Sequence, residues 1–380
     1  MIEIIVPILL IAMMCYMGLV FFFQWGLKKS TPPLSQSISS DCFITVVVAF
    51  RNEAQNLPRL LNNLQSQSLA TNRFEILLVN DHSTDQWQQA MAPFQLPNLK
   101  IINANQQGKK QAIAQACKVA KGHIIVTTDA DCQLQPQWLA TISEQMQTQN
   151  ADLLIGPVNL LSDGSWLQNI QQLDYRSLQL CSAGAAKAHR PIMCSGANLA
   201  FRPEAYQQIH NNLKFDYLSG DDMFLLHAAK TQGMKIGFAD HPLAVVHTPA
   251  EKSIRSFINQ RIRWASKSKA YTDGDTIAVA IVVLMANASW VALMCLGLTN
   301  GMLFGLFVLT YLLKSIIEWQ LFKTGETLFE KVTLIKFLST MPVHPFYTVG
   351  VAMAGFCMNV NWKGRRVETT TPIRKGQVLM

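Results

Sequence analysis

Two aspartates one residue apart, in TTDADC at 127–132, have the type and spacing to hold a hard cation together with an oxygen-rich ligand. Asp129 and Asp131 follow the apolar run HIIVTTD, so they sit where a strand runs out. In an extended or turning backbone, one carboxylate at such spacing reaches a metal while the other reaches a ligand hydroxyl. Mg2+ or Mn2+ carrying diphosphate oxygens suits these donors. A second acidic pair, Asp221 and Asp222 in LSGDDMFLLHAAK, opens an apolar helix. One of the two is expected to cap that helix. The other, crowded by its neighbour, is expected to have a raised pKa and to serve as a general base.

Further polar groups end or follow apolar runs. VNDHSTD places Asp81 at a strand end, with Ser83 or Thr84 available to cap the next helix. Lys109, directly after Gly108 in QQGKKQAIAQA, is placed to reach a phosphate. Ser195, Gly196, Ala197 and Asn198 form a small-residue loop that lets a ligand approach the backbone closely, ahead of a helix starting at Pro203. No GxxxxGK[ST] and no GxGxxG occurs, which argues against P-loop and dinucleotide-binding folds.

The elements that must position these residues alternate. FITVVVAF (43–50), FEILLVN (74–80), LKIINA (99–104) and HIIVTTD (123–129) read as strands, with helical patterns over 53–67 and 109–120. Unbroken β-branched runs are what strands buried on both faces look like. The pattern predicts an α/β domain with an open, mostly parallel, doubly wound sheet, whose ligands bind beyond the carboxyl ends of the strands.

Only 15% of the 380 residues are charged, and the deficit is concentrated. Residues 4–23, 276–313 and 337–362 contain no Asp, Glu, Lys or Arg. The first run has the length of a bilayer-spanning anchor, and Lys28 and Lys29 behind it put the following domain in the cytoplasm. The second reads as a hairpin turning at Asn300-Gly301, its second arm continuing past the i, i+4 pair Lys314 and Glu318. The third, with Pro342, His344 and Pro345, spans or re-enters, and the basic WKGRR behind it favours re-entry. The net charge of +8 collects beside these runs, at Lys28, Lys29, 255–269 and 363–375. Lipid headgroups account for it, and no nucleic acid is expected. Eight scattered cysteines without CxxC fit a reducing compartment and neither a disulfide framework nor a zinc site.

Taken in order, Asn52-Glu53, Asn80-Asp81 with Ser83 and Asp85, Asp129-Ala130-Asp131, Ser195-Gly196-Ala197-Asn198, Gly220-Asp221-Asp222 and Gln260-x-x-Arg263-Trp264 resemble the motifs of a membrane-embedded family 2 glycosyltransferase with a GT-A fold. The resemblance covers about residues 42–270. QxxRW narrows it to the branch of ceramide glucosyltransferases and of cellulose, chitin, hyaluronan and poly-N-acetylglucosamine synthases. Asn80 stands where the family carries a second aspartate, and Gly-Asp-Asp stands where it carries an acidic triplet with Glu.

The resemblance implies inverting, metal-dependent hexosyl transfer. Asp81, with Asn52 and Glu53, would meet the nucleoside end of a UDP-sugar. Asp129 and Asp131 would hold the diphosphate and its Mg2+ or Mn2+, with Lys109 nearby. Asp222, beside Asp221, would deprotonate the acceptor hydroxyl. Gln260, Arg263 and Trp264 would lie next to the diphosphate and the acceptor end, which the Ser195–Asn198 loop completes. On an amphipathic helix lying on the bilayer, Gln260, Arg263 and Trp264 are expected to share the face toward the cleft. Arg255, Arg261, Lys267 and Lys269 are expected to meet lipid headgroups.

The expected organisation is an N-terminal transmembrane helix (1–27), a linker (28–41), a GT-A domain (42–250) and an interface helix with QxxRW (251–275). A transmembrane hairpin (276–323), an amphipathic and third hydrophobic segment (324–362) and a basic tail (363–380) follow. A multi-pass protein of the inner, cytoplasmic membrane is expected, with its catalytic domain in the cytoplasm. So few spans resemble enzymes that add one sugar to a lipid acceptor. The alternative is a small processive polysaccharide synthase, completed by an accessory membrane protein. An inactive sugar-nucleotide sensor or scaffold is the reading from another class, and the retained acidic motifs argue against it.

Overall fold

The computed structural model describes residues 2–29, 42–214, 220–357, 360–362 and 365–367. The expected linker beyond Lys29 and most of the basic tail lie outside the described residues.

Strands β1 (Ile44–Phe50), β2 (Phe74–Asn80), β3 (Leu99–Asn103) and β4 (Ile124–Thr127) pair in parallel. Their side chains alternate between two packed layers, as a pleated sheet requires. Ile44, Val46, Val48, Ile76, Leu78 and Val126 join the layer of helices α2 (Leu57–Gln65), α3 (Trp87–Met91) and α5 (Trp138–Thr148). Val47, Leu77, Val79 and Ile125 join the opposite layer, with α4 (Lys109–Cys117) and α6 (Trp166–Lys187). Burial on both faces is why these strands carry unbroken apolar runs. The expected helix over 53–67 is shorter, because Glu53 to Asn56 form a turn closed by Asn56 and Leu57 N–H groups on the Glu53 carbonyl.

Past β4 the sheet continues through short strands that carry no legible pattern. These are β5 (Leu153–Ile155), β7 (Leu199–Phe201) and β8 (Ile236–Phe238), with β6 (Val158–Leu161) and β9 (Val246–Pro249) forming a separate parallel pair. The order is β3-β2-β1-β4-β7-β5-β8, with β7 antiparallel to both neighbours. The sheet is mostly parallel, as expected. Helices α7 (Pro203–Ile209) and α8 (Asp221–Thr231) follow β7, and α9 (Ile254–Ser266) follows β9.

Among the described residues, three helices are long and apolar enough to cross a membrane: α1 (Ile2–Leu27), α10 (Gly274–Gly297) and α11 (Gly301–Thr324). The hairpin turns where expected, and Asn300 Oδ1 accepts from the Met302 and Leu303 amides at the start of α11. Helix α1 packs on α10, α11 and the long helix α6. At the α1–α6 crossing, a Cβ on Gly26 would lie 2.0 Å from the Gly184 carbonyl, so only glycine permits this approach. The layer beneath Val47 and Leu77 is thereby continuous with Tyr16, Phe23, Trp290 and Leu321 of the apolar helices.

The third hydrophobic run breaks into α12 (Leu334–Thr340), a tight turn over 341–343 and α13 (His344–Cys357). At about 1.5 Å per residue, α13 is roughly 20 Å long, short of a hydrocarbon core of about 30 Å. It packs instead on α9 and α10. A last antiparallel pair, β10 (Val360–Trp362) and β11 (Arg365–Val367), follows.

Candidate active site

Because β1, β2 and β4 run in parallel, the residues after Phe50, Asn80 and Thr127 emerge at one edge of the sheet. The first two loops are tied to each other. Asn52, at φ 55°, donates its N–H to Ser83 Oγ (3.0 Å), and its Oδ1 accepts from the Thr84 amide (2.8 Å). Asp85 Oδ2 accepts from the Ala54 amide (2.7 Å), and Glu53 Oε2 accepts from Asn56 Nδ2 (2.6 Å). Asn52, Glu53, Asn56, Thr84 and Asp85 line an open depression at this edge. Ser83 and Thr84 therefore tie loop to loop instead of capping α3, whose N-terminus has no side-chain cap. Asp81 is buried, and its Oδ1 accepts from the Gly108 amide (3.0 Å). Gly108 sits at φ 114°, and Lys109 enters the cleft immediately after it.

Lys109 is the hub of the cleft. Its Nζ lies 2.6 Å from Asp129 Oδ1 and 3.2 Å from Asp221 Oδ2. Burial opposes its charge, but Asp129 and Asp221 outweigh that and raise its pKa. Asp221 responds in the opposite direction. Burial would raise its pKa, yet Lys109 and then Lys267 hold the carboxyl below its usual range. The raised pKa expected from crowding does not occur at Asp221, because two cations face it. Gly220 stands at the N-cap of α8, and Asp222 Oδ1 accepts from the first-turn Met223 amide (2.8 Å). Asp222 Oδ2 accepts a long bond from the Gly196 amide (3.4 Å), which places it beside the 195–198 loop.

That loop is held from below by Thr127, whose hydroxyl donates to the carbonyls of Gly196 (3.0 Å) and Leu199 (3.3 Å). A Cβ on Gly196 would meet Asp221 Oδ2 at 2.8 Å and Lys109 Nζ at 3.2 Å, so glycine here lets the ion pair form against the backbone. Ser195 lies beside Tyr175 of α6. Asn198 departs from its expected role at the acceptor. It is fully buried, its Nδ2 donates to the Pro157 and Ala244 carbonyls (both 2.8 Å), and its Oδ1 accepts from Trp138 Nε1 (3.0 Å). Its amide is spent on holding the loop. Ala197 is likewise buried and presents nothing to a ligand.

Helix α9 brings QxxRW to the other side of the cleft. Its N-terminus carries a reciprocal cap between Ser253 and Ser256. Burial lowers the Arg263 pKa, while Asp129, Asp222, Glu251 and Asp221 oppose that, which puts the guanidinium among the carboxylates of both clusters. Gln260 Nε2 donates to Glu251 Oε1 (3.1 Å). Trp264 packs its ring 5.7 Å from Tyr175 of α6, a tyrosine that itself lies near Ser195 and Asp222. Two further expectations are corrected. Arg261 is 3% exposed and pairs with Asp174 (2.8 Å), and Lys267 faces Asp221 and Gly220. Neither meets headgroups, whereas Arg255 and Lys269 are exposed.

The family described as "Glycosyl transferase family 2" matches residues 45–209, which carry Asn52, Asp81, Lys109, Asp129, Asp131 and the 195–198 loop. Among relatives, Glycosyltransferase AglE of Haloferax volcanii is 30% identical over 119 residues, covering 30% of this chain and 39% of that protein. An undecaprenyl-phosphate 4-deoxy-4-formamido-L-arabinose transferase of Pseudomonas savastanoi pv. phaseolicola is 35% identical over 100 residues, or 25% of this chain and 30% of that one. The chain thus spans about a third of the length of these relatives. Among solved structures, the mannosyltransferase PcManGT from Pyrobaculum calidifontis, in complex with GDP-Man and Mn2+, superposes with a TM-score of 0.60 at 18% identity. The match covers 92% of this chain and 98% of that one, which shows a shared GT-A-like fold extending into the apolar helices.

Among the described residues, no three His, Cys, Asp or Glu side chains form a metal-ligand cluster. The donor set still fits a divalent ion brought by a diphosphate. Asp131 is half-buried at the strand end, its backbone carbonyl held by Arg59 Nη2 (2.8 Å), and Mg2+ takes one or two carboxylates with phosphate oxygens and water. Lys267, Tyr175 and Glu251 are cleft residues that the sequence reading missed. Lys267 had a signal, since it follows Gln260 and Arg263 at i, i+3, i+7, whereas Tyr175 lies on a helix of mixed polarity with no motif around it.

Proposed function

We propose that this chain moves a sugar from a nucleotide-sugar, a UDP-sugar, to a membrane lipid acceptor at the cytoplasmic leaflet, with inversion at the anomeric carbon. The observation that carries this reading is the bridge at Lys109, which draws the Asp129-x-Asp131 strand end and the Asp221-Asp222 helix start around one cation. Donor-binding and acceptor-activating carboxylates then flank one reacting centre. Asp81 and the Asn52–Glu53 turn receive the nucleoside. Asp131, with Asp129, holds the metal, which when bound neutralises diphosphate charge.

Asp222 takes the proton from the acceptor oxygen as that oxygen attacks the anomeric carbon. The bond from that carbon to the diphosphate breaks on the opposite face, and its electron pair leaves with the diphosphate. Arg263 and Lys109 face the charge that grows there, so they stabilise the transition state more than the ground state. Arg263 presents a planar fork to phosphate oxygens, and Trp264 offers an apolar face to a sugar ring.

A lipid acceptor is supported by the spanning-length apolar helices, of which α1 and α11 pack on α6, and by relatives named as an undecaprenyl-phosphate 4-deoxy-4-formamido-L-arabinose transferase and a beta-monoglucosyldiacylglycerol synthase. The full chain in detergent, given Mn2+, UDP-sugars and a membrane lipid extract, is expected to release UDP. One chromatogram of the product is expected to show an organic-phase glycolipid. Polymer retained at the origin would replace the lipid acceptor with polysaccharide synthesis. No release from any UDP- or GDP-sugar would return the chain to the class of inactive binding proteins.

A further inference from the structure

The two arginines of QRIRW face opposite ways, and the one outside the motif's fixed positions is the more deeply buried. Arg261 Nη2 lies 2.8 Å from Asp174 Oδ2, with both side chains under 10% exposed. Its guanidinium stands 4.4 Å from the Trp264 ring, 5.2 Å from Phe257 and 5.9 Å from Tyr175. Asp174 also accepts from Tyr347 Oη (3.2 Å) and has His344 Nε2 at 3.5 Å, both on α13. Tyr347 in turn stacks on Phe257 of α9 at 5.3 Å. Farther along, a Cβ on Gly355 would come within 2.8 Å of the Ala265 Cβ, so α13 crosses α9 at backbone-limited distance. One carboxylate on α6 thus gathers groups from α9 and α13.

We propose that Asp174 is a positioning residue for glycosyl transfer, which through Arg261 fixes the rotation of α9 and so aims Arg263 at the diphosphate, with Tyr347 and His344 of α13 completing the clamp. The helical geometry makes the coupling direct. Residues 261 and 263 are about 200° apart around the axis at 100° per residue, so anchoring one face sets the direction of the other. The charge balance agrees, because burial opposes the Asp174 carboxylate while Arg261, and then His344 and Tyr347, hold its pKa below the usual range. The third hydrophobic run is then part of the site instead of a simple anchor. Reactions of this kind lose about 100-fold when a positioning group shifts by about 1 Å.

The inference rests on the proposed transferase reading, and its test separates the two. In the full chain in detergent, Asp174→Asn keeps the shape and removes the charge. It is expected to raise amide hydrogen exchange over 254–266 while leaving β1 to β4 unchanged, and to cut kcat about 100-fold with the smaller effect on KM. Tyr347→Phe, a milder change, is expected to move both readouts in the same direction. In an Arg263→Lys background, adding Asp174→Asn is expected to cost less than about threefold, because the group it positions is already altered. Unchanged exchange over α9, or an equal loss of kcat in both backgrounds, would overturn the proposal. If the unaltered chain consumes no sugar nucleotide, the transferase reading falls, and the exchange measurement still decides the clamp.

Discussion

Two lysines with carboxylate partners, one at the sheet edge and one buried among the apolar helices, show what separates a site from a strut. Lys314 of α11 is 0% exposed and pairs with Glu318 one turn on at 2.6 Å. Tyr16 of α1 donates to the same glutamate, and the rings of Trp290, Tyr16 and Tyr311 lie within about 6 Å of the ammonium. Here charge is matched one to one and enclosed. At the sheet edge, Lys109 is 23% exposed and answers to Asp129 and Asp221, with Asp222 nearby. Lys314 answers to one carboxylate and is enclosed, whereas Lys109 is shared between carboxylates of two chain segments at an accessible edge.

The sharpest way to break this comparison is to remove a carboxylate from the sheet-edge cluster. Asp222→Asn preserves volume and its place beside the Gly196 amide but cannot take up the acceptor proton. We expect nucleotide release to fall about 1000-fold with the melting temperature unchanged, the range a positioned general base supplies. Retained turnover would mean that the acceptor needs no base there, and the role would pass to Asp221.

The balanced cluster should fail differently. Lys314→Met leaves Glu318 buried among apolar helices without its cation, at a cost of about 3 kcal/mol, read as a lower melting temperature in detergent. Replacing both, Lys314→Met with Glu318→Leu, removes the orphaned charge and is expected to recover most of that loss. Turnover per folded molecule should match the unaltered chain in the double variant. A folded double variant without turnover would make the intramembrane pair part of the chemistry.

The difference between the clusters also marks how far the sequence could be read. Strands β1 to β4 were legible because burial on both faces writes itself as unbroken apolar runs. The DAD, DD and QxxRW groups were legible because each lies where an apolar element starts or stops. What escaped depends on distant partners. Strands β5 to β9 are three or four residues each and show no periodicity. Helix α6 buries Gln171, Asp174, Arg176 and Gln179, a composition that reads as surface until the neighbours are known. Asn198 looked like a ligand-side amide and is a buried brace, and Arg261 looked like a headgroup contact and is half of a buried pair. In each case local residue type was right and the partner was nonlocal.

The smallest expected effect tests whether Lys109 sets the electrostatics of the sheet-edge cluster. Asp221 has a depressed pKa, so its contribution to stability is present above the ordinary carboxyl pKa of about 4 and is lost as pH falls through its lower folded value. Lys109 has a raised pKa, so its contribution is present below about 10 and is lost only as pH rises through a still higher folded value. The pair therefore holds across the neutral range. In Lys109→Met, Lys267 alone opposes the burial of Asp221, so its pKa moves up and the acid-side loss of stability begins at higher pH. A melting series from pH 3 to 8 should show the acid limb displaced upward by about one unit. An undisplaced limb would assign the depression of Asp221 to Lys267, and with it the hub of the cleft to the residues just past α9.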